Sequence, residues 1–412
     1  MRLRRFSLAP LLVATLAVAG LLALALPADA IINSAMVVPS ANTSPTDGNT
    51  LQSVSCVSAT WCVAVGYVNN GLVEQTLIEH WDGSHWTLAT SANSSPSEFN
   101  MLFSVSCISV SWCIAVGTYQ SNYVYRTLAE VWNGTTWSIV QSGDPSLNGS
   151  NSLWSVSCVS TTSCRAVGQF TAFSANQTLV EEWNGTQFSV VPSVNTSPTD
   201  NNQLDDVSCV STTSCVAVGN FYNGQQQQTL TEVWDGTVWT IVPSWNSSPS
   251  QANALRSVSC SSATACVAVG IYADLAGYQT IAEVWNGSAW SLMAPVSTSR
   301  LESFLDSVSC ESETFCVAVG FVDDYGPYEA LIEQWDGSLW SVVASPQATG
   351  SGSVLRSVVC LTDLACTAVG DVSDGIIATQ TLVMSLTGPA PAPVPTTVPA
   401  FDPAPVAPAF TG

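Results

Sequence analysis

Fourteen cysteines fall in seven C-x5-C pairs, and the first member of each pair recurs at Cys56, Cys107, Cys158, Cys209, Cys260, Cys310 and Cys360. The steps between them are 51, 51, 51, 51, 50 and 50 residues. A fixed period near 50 is the mark of a repeat array, in which each unit buries its apolar face only by stacking on the next. Each unit reads L-x-[SD]-V-[SV]-C, five residues, then C-x-A-V-G. A variable stretch, T-[LI]-x-E-x-W-[DN]-G-[ST]-x-[WF] and a Ser/Pro/Asn-rich connector complete it. Units start near residues 51, 102, 153, 204, 255, 305 and 355.

Each unit carries four strand signals, shown by the first. Leu51 to Val57 is short and β-branched. Cys62 to Val68 is apolar at nearly every position, as a strand buried on both faces would be. Gln75 to Trp81 and His85 to Ala89 follow, joined at Asp82-Gly83, which reads as a two-residue hairpin turn with positive φ. The turn recurs as Asn133-Gly134, Asn184-Gly185, Asp235-Gly236, Asn286-Gly287 and Asp336-Gly337. No helical periodicity is present after residue 30. The expectation is an all-β chain: a seven-bladed β-propeller of four-stranded blades spanning residues 31–387. An open solenoid is the rival, but its repeats are shorter and it needs caps.

One asymmetry favours a closed ring. The seventh unit stops at Thr381-Leu382-Val383-Met384, without the turn and fourth strand. Near the other end, Val37-Val38-Pro39-Ser40 and Asn42 to Asp47 match Val190-Val191-Pro192-Ser193 and Asn195 to Asp200, offset by 153 residues. The N-terminal segment is thus expected to supply the missing strand and remove the open edges of a linear array.

The run Glu130-Val131-Trp132-Asn133-Gly134-Thr135-Thr136-Trp137 resembles the kelch blade, in which an acid, an aromatic, a turn and a Trp close each repeat. Cys62-Val63-Ala64-Val65-Gly66 resembles the kelch strand that ends in two glycines, with one glycine here and an added cysteine pair. The whole unit is similar to exported repeat proteins of high-GC Gram-positive bacteria, over about residues 36 to 386. The resemblance implies a propeller and no particular reaction.

The cysteine pairs are Cys56 with Cys62, Cys107 with Cys113, Cys158 with Cys164, Cys209 with Cys215, Cys260 with Cys266, Cys310 with Cys316 and Cys360 with Cys366. The two members of each face one another if the first two strands form a hairpin. They are then within disulfide reach. Zinc is disfavoured by the spacing and by the scarcity of histidine. The aromatic series Trp81, Trp132, Trp183, Trp234, Trp285, Trp335 and Trp86, Trp137, Phe188, Trp239, Trp290, Trp340 reads as packing between blades. Small residues such as Ala64 and Gly66 leave room for it.

Residues 1–30 have a basic start, an apolar stretch and Ala28-Asp29-Ala30, the layout of a secretory signal cleaved after Ala30. The competing reading is a membrane anchor. Residues 388–412 are Pro/Ala-rich and read as an extended, disordered spacer. Localisation is expected to be secreted, in an oxidising compartment.

Charged residues are 9% of the chain, there is no lysine, and the net charge is −22. Removing residues 1–30 takes away three arginines and one aspartate, leaving −24. With no basic stripe to neutralise phosphates, a nucleic-acid partner is excluded, and binding to an anionic membrane is disfavoured. A monomer without cofactor or metal is expected.

Candidate chemistry is sparse. A ring of glutamates (Glu79, Glu130, Glu181, Glu232, Glu283, Glu333, with Met384 seventh) is read as structural, because a repeated residue does not define one asymmetric site. First-strand serines (Ser55, Ser106, Ser157, Ser208, Ser259, Ser309) are expected along the central channel. His80 and His85 flank one hairpin with no matching nucleophile, so no catalytic residue is assigned. Asp323, Asp324, Asp371 and Asp374 are weighed as a calcium site and read as solvated loop residues. The Asn-x-Ser/Thr positions read as turn chemistry.

Long variable connections all fall on one face, where binding residues concentrate. The candidate ligand-binding residues there are Tyr123, Tyr125, Phe173, Tyr222, Tyr278, Tyr325 and Tyr328, with Asp323 and Asp324. Asn122, Asn223 and Asp274 sit beside them. The expected function is a secreted, non-catalytic binding propeller for a glycan, cell-wall component or protein. The alternative is a carboxylate-dependent polysaccharide hydrolase or lyase.

Overall fold

A computed structural model describes residues 32–293, 302–346, 352–373 and 378–388. The proposed signal segment, the Pro/Ala-rich tail and Asp374 lie outside the described residues. Within them the chain forms seven four-stranded antiparallel sheets and no helix. No helix there is long and apolar enough to cross a membrane.

In blade 1 the inner strand is Gly48–Ser58, the second Trp61–Asn69, the third Glu74–Trp81 and the outer Trp86–Ala89. Blades 2 to 6 repeat that order. Blade 7 has Gly352–Thr362, Ala365–Ser373 and Thr379–Thr387, and takes its outer strand from Ser34–Val38. Its register runs from Ser34 opposite Thr387 to Val38 opposite Val383. The N-terminal strand closes the ring as expected. Ile32 anchors its start, only 2% exposed, with its N–H donating to Gln334 Oε1 of blade 6 at 2.6 Å.

All seven expected disulfides form in the first hairpins. Cys56 bonds Cys62, Cys107 bonds Cys113, Cys158 bonds Cys164 and Cys209 bonds Cys215. Cys260 bonds Cys266, Cys310 bonds Cys316 and Cys360 bonds Cys366. The members of each pair sit directly opposite one another, with Cα atoms 3.9–4.0 Å apart. The second member lies on the buried second strand, and Cys62, Cys113, Cys164, Cys215, Cys266, Cys316 and Cys366 are all buried. The bridges thus tie the inner strand to the core of each blade. Each closes a loop so short that it removes roughly 2 kcal/mol of chain entropy from the unfolded state.

The hairpin between the third and outer strands differs from the expected two-residue turn. Trp81 pairs with Trp86, so four residues intervene. The N–H groups of Ser84 and His85 both donate to Asp82 Oδ1 at 2.8 Å, and Gly83 takes the positive φ of 94°. The side-chain acceptor, with one glycine, shapes the loop.

The aromatics, expected to pack between blades, pair within each blade as well as reaching the neighbouring one. Trp81 and Trp86 rings lie 5.7 Å apart, and the same pairing recurs through blade 6. Each third-strand indole N–H donates to a carbonyl in the cysteine turn, as Trp81 does to Ala59 O at 3.0 Å. The outer-strand ring presses on the preceding blade: Trp137 packs with Val63, Val65 and Ile78.

The glycine of C-x-A-V-G has a different role from the one expected. Gly66 faces Leu51 of the inner strand, and a Cβ on it would lie 2.0 Å from Thr50 O. All seven equivalents show the same clash, at 2.0–2.2 Å. The glycine admits the backbone of its own inner strand, not a neighbouring ring. Immediately after that contact each inner strand carries a β-bulge, in blade 1 between Leu51 and Ser53. It recurs in every blade.

Candidate functional site in the central channel

The residue inside each bulge is the x of L-x-[SD]-V. A bulged residue leaves the ladder and its side chain is re-aimed. Around the ring these residues are Gln52, Phe103, Trp154, Asp205, Arg256, Asp306 and Arg356, and all seven line one cavity of about 240 Å³ in the channel. The bulge lies toward the start of the inner strand, in the half of the channel nearer the long connections.

Next along each strand is a structural ring. Ser53 Oγ accepts from the N–H of Val105 in the next blade at 3.2 Å, and the pattern continues around to Ser357, which accepts from Val54 at 3.3 Å. In blade 4 Asp206 replaces the serine. Its oxygens accept from Ser155 Oγ, Val207 N, Ser257 Oγ and Val258 N at 2.5–2.9 Å. Burial still pushes its carboxyl above the ordinary range. Ser55 and its equivalents make a parallel clasp, as in the Cys107 N–H to Ser55 Oγ bond at 3.1 Å. They do not line the cavity; Ser53 and its equivalents do, two positions earlier.

The cavity lining has two halves. Phe103 and Trp154 stand 4.6 Å apart between ring centroids. Trp154 Nε1 is buried without a hydrogen-bond partner. The other half alternates in charge through Asp205, Arg256, Asp306 and Arg356. Arg256 pairs with Asp306, and Arg356 Nε pairs with Asp371 at 2.6 Å. Asp205 accepts from Gln203 Nε2 at 2.8 Å and Asn220 Nδ2 at 3.1 Å. Burial pushes it up to about 6, against those bonds and the Arg256 charge.

An aromatic run continues outward from Arg256, whose guanidinium lies 5.6 Å from the Phe304 ring. Phe304 stacks on Phe321 at 4.6 Å, Tyr278 lies 5.6 Å from Phe304, and Tyr328 lies 5.1 Å from Phe321. Of the candidate loop residues, Tyr278 and Tyr328 are thus brought together beside the channel. Tyr123, Phe173 and Tyr325 stand apart on separate turn tips, at positive φ of 65°, 56° and 61° and highly exposed. Tyr125 and Tyr222 lie at strand ends, opposite Gln120 and Gln227. Asp323 Oδ1 caps its own loop by accepting from Tyr325 N at 2.9 Å, and Asp324 sits beside it in the same loop. Asp371 is engaged by Arg356, away from these two.

The glutamate ring lies elsewhere and holds connectors. Glu130 Oε2 accepts from the N–H of Ala92, in the segment arriving from blade 1, at 3.0 Å, with Ser91 Oγ beside it. Glu79, Glu181 and Glu283 do the same for Ala41, Gly143 and Trp245, and Ser193 Oγ donates to Glu232. Burial pushes these five carboxyls up to about 7 and Glu333 to about 8. His80 is enclosed by Trp61, Trp132 and Trp137, and its Nε2 accepts from Trp137 Nε1 at 3.3 Å. Burial lowers its pKa.

The channel set was missed by sequence reasoning because the repeat pattern marks it only as an x. The available signal was that one position, where seven near-identical motifs carry Gln, Phe, Trp, Asp, Arg, Asp and Arg.

No protein-family model and no curated protein matches the chain in sequence. Solved structures do match in shape. YCF48, solved with a D1 peptide bound, superposes with a TM-score of 0.54 at 12% identity, over 86% of this chain and 97% of its own. A protein of unknown function from Dyadobacter fermentans gives 0.48 at 9%, covering 87% and 99% of the two chains. Sqt1 from Chaetomium thermophilum gives 0.46 at 8%, covering 84% and 97%. At such identities the likeness shows the propeller fold alone.

Proposed function

We propose that this chain is a secreted, non-catalytic binding propeller that takes part of its ligand into the channel cavity from the face of the long connections. One observation carries the reading: the repeat keeps its structural positions around the ring, while the side chains it sends into the channel differ from blade to blade. A ring that only stacks blades does not require an aromatic half opposite a charged half. Seven disulfides suit an oxidising, extracellular setting. The aromatic run through Tyr278 and Tyr328 extends the surface outward. The kelch likeness bears on the E-x-W-[DN]-G hairpin and not on the ligand.

Binding is favoured over hydrolysis by what already holds the carboxylates. Carboxylate hydrolysis requires a general acid and a second free carboxylate. Asp205 has a suitably raised pKa, but Arg256 occupies Asp306 and four donors occupy Asp206.

The test is a paired glycan and peptide array on residues 31–412, repeated with Trp154→Ala, Arg356→Gln and the loop double variant Tyr123→Ala/Tyr325→Ala. Hits lost in the two channel variants and kept in the loop variant support the channel. Hits lost only in the loop variant overturn it.

A further inference from the structure

Resting on that reading, we propose that the cavity holds one neutral, hexose-sized sugar unit of a glycan. Its C–H face lies against Phe103 and Trp154, and its vicinal hydroxyls pair with the Arg256–Asp306–Arg356 run.

Size, charge and unused hydrogen-bonding capacity point the same way. The cavity of about 240 Å³ is smaller than the roughly 300–1,000 Å³ pockets that take drug-sized ligands. It suits a single ring, with the rest of a chain leaving over Phe304, Phe321, Tyr278 and Tyr328. Both arginines are already paired, Arg256 with Asp306 and Arg356 with Asp371, while Asp205 rests on the neutral amides of Gln203 and Asn220. An anionic ligand would compete with Asp306 for Arg256 and with Asp371 for Arg356. It would also approach a chain of net charge −22, against the field. A cationic ligand would meet Asp205 beside the Arg256 guanidinium, whose like charge opposes it. A hydroxyl breaks neither pair, because it donates to a carboxylate lone pair and accepts from a spare guanidinium N–H at once.

Adjacent carbons bearing hydroxyls therefore match a wall on which acid and base alternate. The opposite wall presents aromatic surface to the apolar face of the ring. Trp154 Nε1–H is covered and unpartnered, and a small turn of the indole toward the cavity would let a ring or hydroxyl oxygen satisfy it, as buried donors require. A basic peptide side chain is the competing ligand. It would use Asp205 and the aromatic wall but, carrying donors only, would leave the indole N–H without an acceptor.

The experiment is isothermal titration calorimetry of residues 31–412, with saturation-transfer NMR. The probes are trisaccharides of glucose, galactose, mannose and N-acetylglucosamine, the matching glucuronate- and glucosamine-terminated analogues, and a tri-arginine peptide. At least one neutral trisaccharide is expected to bind about tenfold or more tighter than its charged analogues. Trp154→Ala should weaken it about tenfold. Trp154→Phe, which keeps the ring face and removes the N–H, should weaken it about threefold. Should Trp154→Ala fail to fold, Arg356→Gln with Trp154→Phe carries the comparison. Absence of neutral-sugar binding at about 10 mM, or equal affinity in all variants, overturns the sugar assignment. Tri-arginine binding that the same variants abolish would also overturn it, while leaving the channel as the binding site. Ligand binding untouched by any channel variant would refute the channel reading itself.

Discussion

Glu130→Gln isolates what the buried glutamates cost. Glu130 is 0% exposed and accepts from Ala92 N–H and Ser91 Oγ. Burial moves its carboxyl from the ordinary 4.5 up to about 7. The sign follows from linkage: the folded state holds this proton more tightly than the unfolded state. The group's contribution is therefore complete below pH 4.5 and is lost as pH rises through 7. At 1.36 kcal/mol per pH unit, ionising it in the folded protein costs about 3 kcal/mol above pH 8. Glutamine has the same shape and no charge. Its carbonyl can accept from Ala92, and its amide can donate to Ser91 Oγ. Glu130→Gln should match the parent protein at pH 4.5 and melt about 5 °C higher at pH 8.5. The assay is differential scanning calorimetry of both proteins at the two pH values. Using the difference between them cancels other titrations, including that of His80, whose depressed pKa makes its own contribution fall away as the solution is acidified. Equal destabilisation of the variant at both pH values would mean that Glu130 is ionised and its hydrogen bonds are charge-assisted. The reasoning would then fail for the whole ring.

Two further outcomes follow from the blade geometry. Gly168→Ala drives a Cβ to 2.0 Å from Ser152 O, so it should cost about 3 kcal/mol or more in denaturant unfolding. Gly326→Ala, with nothing within 4 Å, should be neutral, and equal effects would remove the close-approach account of the bulge. Deleting residues 31–40 takes the outer strand from blade 7 and exposes an edge; the melting temperature should fall by many degrees and size-exclusion chromatography should show oligomers, whereas an unchanged monomer would contradict closure.

Most of the architecture was legible because repetition multiplies a weak signal. A single C-x-A-V-G run is an ambiguous apolar segment, but seven at a spacing of 50 or 51, each with a cysteine pair and six of them followed by a [DN]-G turn, leave little besides a propeller. The closing strand was legible for a related reason: Val37-Val38-Pro39-Ser40 copies Val190 to Ser193 three units away. Local hydrogen bonding was less legible. Asp82 accepts two N–H groups and lengthens the hairpin loop to four residues, a choice among turn geometries that the Asp-Gly dipeptide leaves open. The role of Gly66 also escaped, since a small residue can admit a neighbouring ring or the backbone of its own blade, and only the 2.0 Å approach to Thr50 O distinguishes them.

The channel residues were hidden by the same repetition that revealed the fold. A position that takes five residue types in seven copies drops out of a consensus. Ser53, Gly66 and Glu79 recur because each closes a contact repeated around the ring, with Asp206 replacing the serine once and Met384 the glutamate once. Gln52, Phe103, Trp154, Asp205, Arg256, Asp306 and Arg356 need not recur, because the bulge has already released them from the ladder. The strand pairs Leu51 with Gly66 before the bulge and Ser53 with Val65 after it, so pairing proceeds whatever side chain lies between. On the proposed function, recognition and stability occupy adjacent residues with separate constraints. Exchanging Trp154 or Arg356 should change what the channel accepts while leaving the clasp from Ser53 to Ser357 in place.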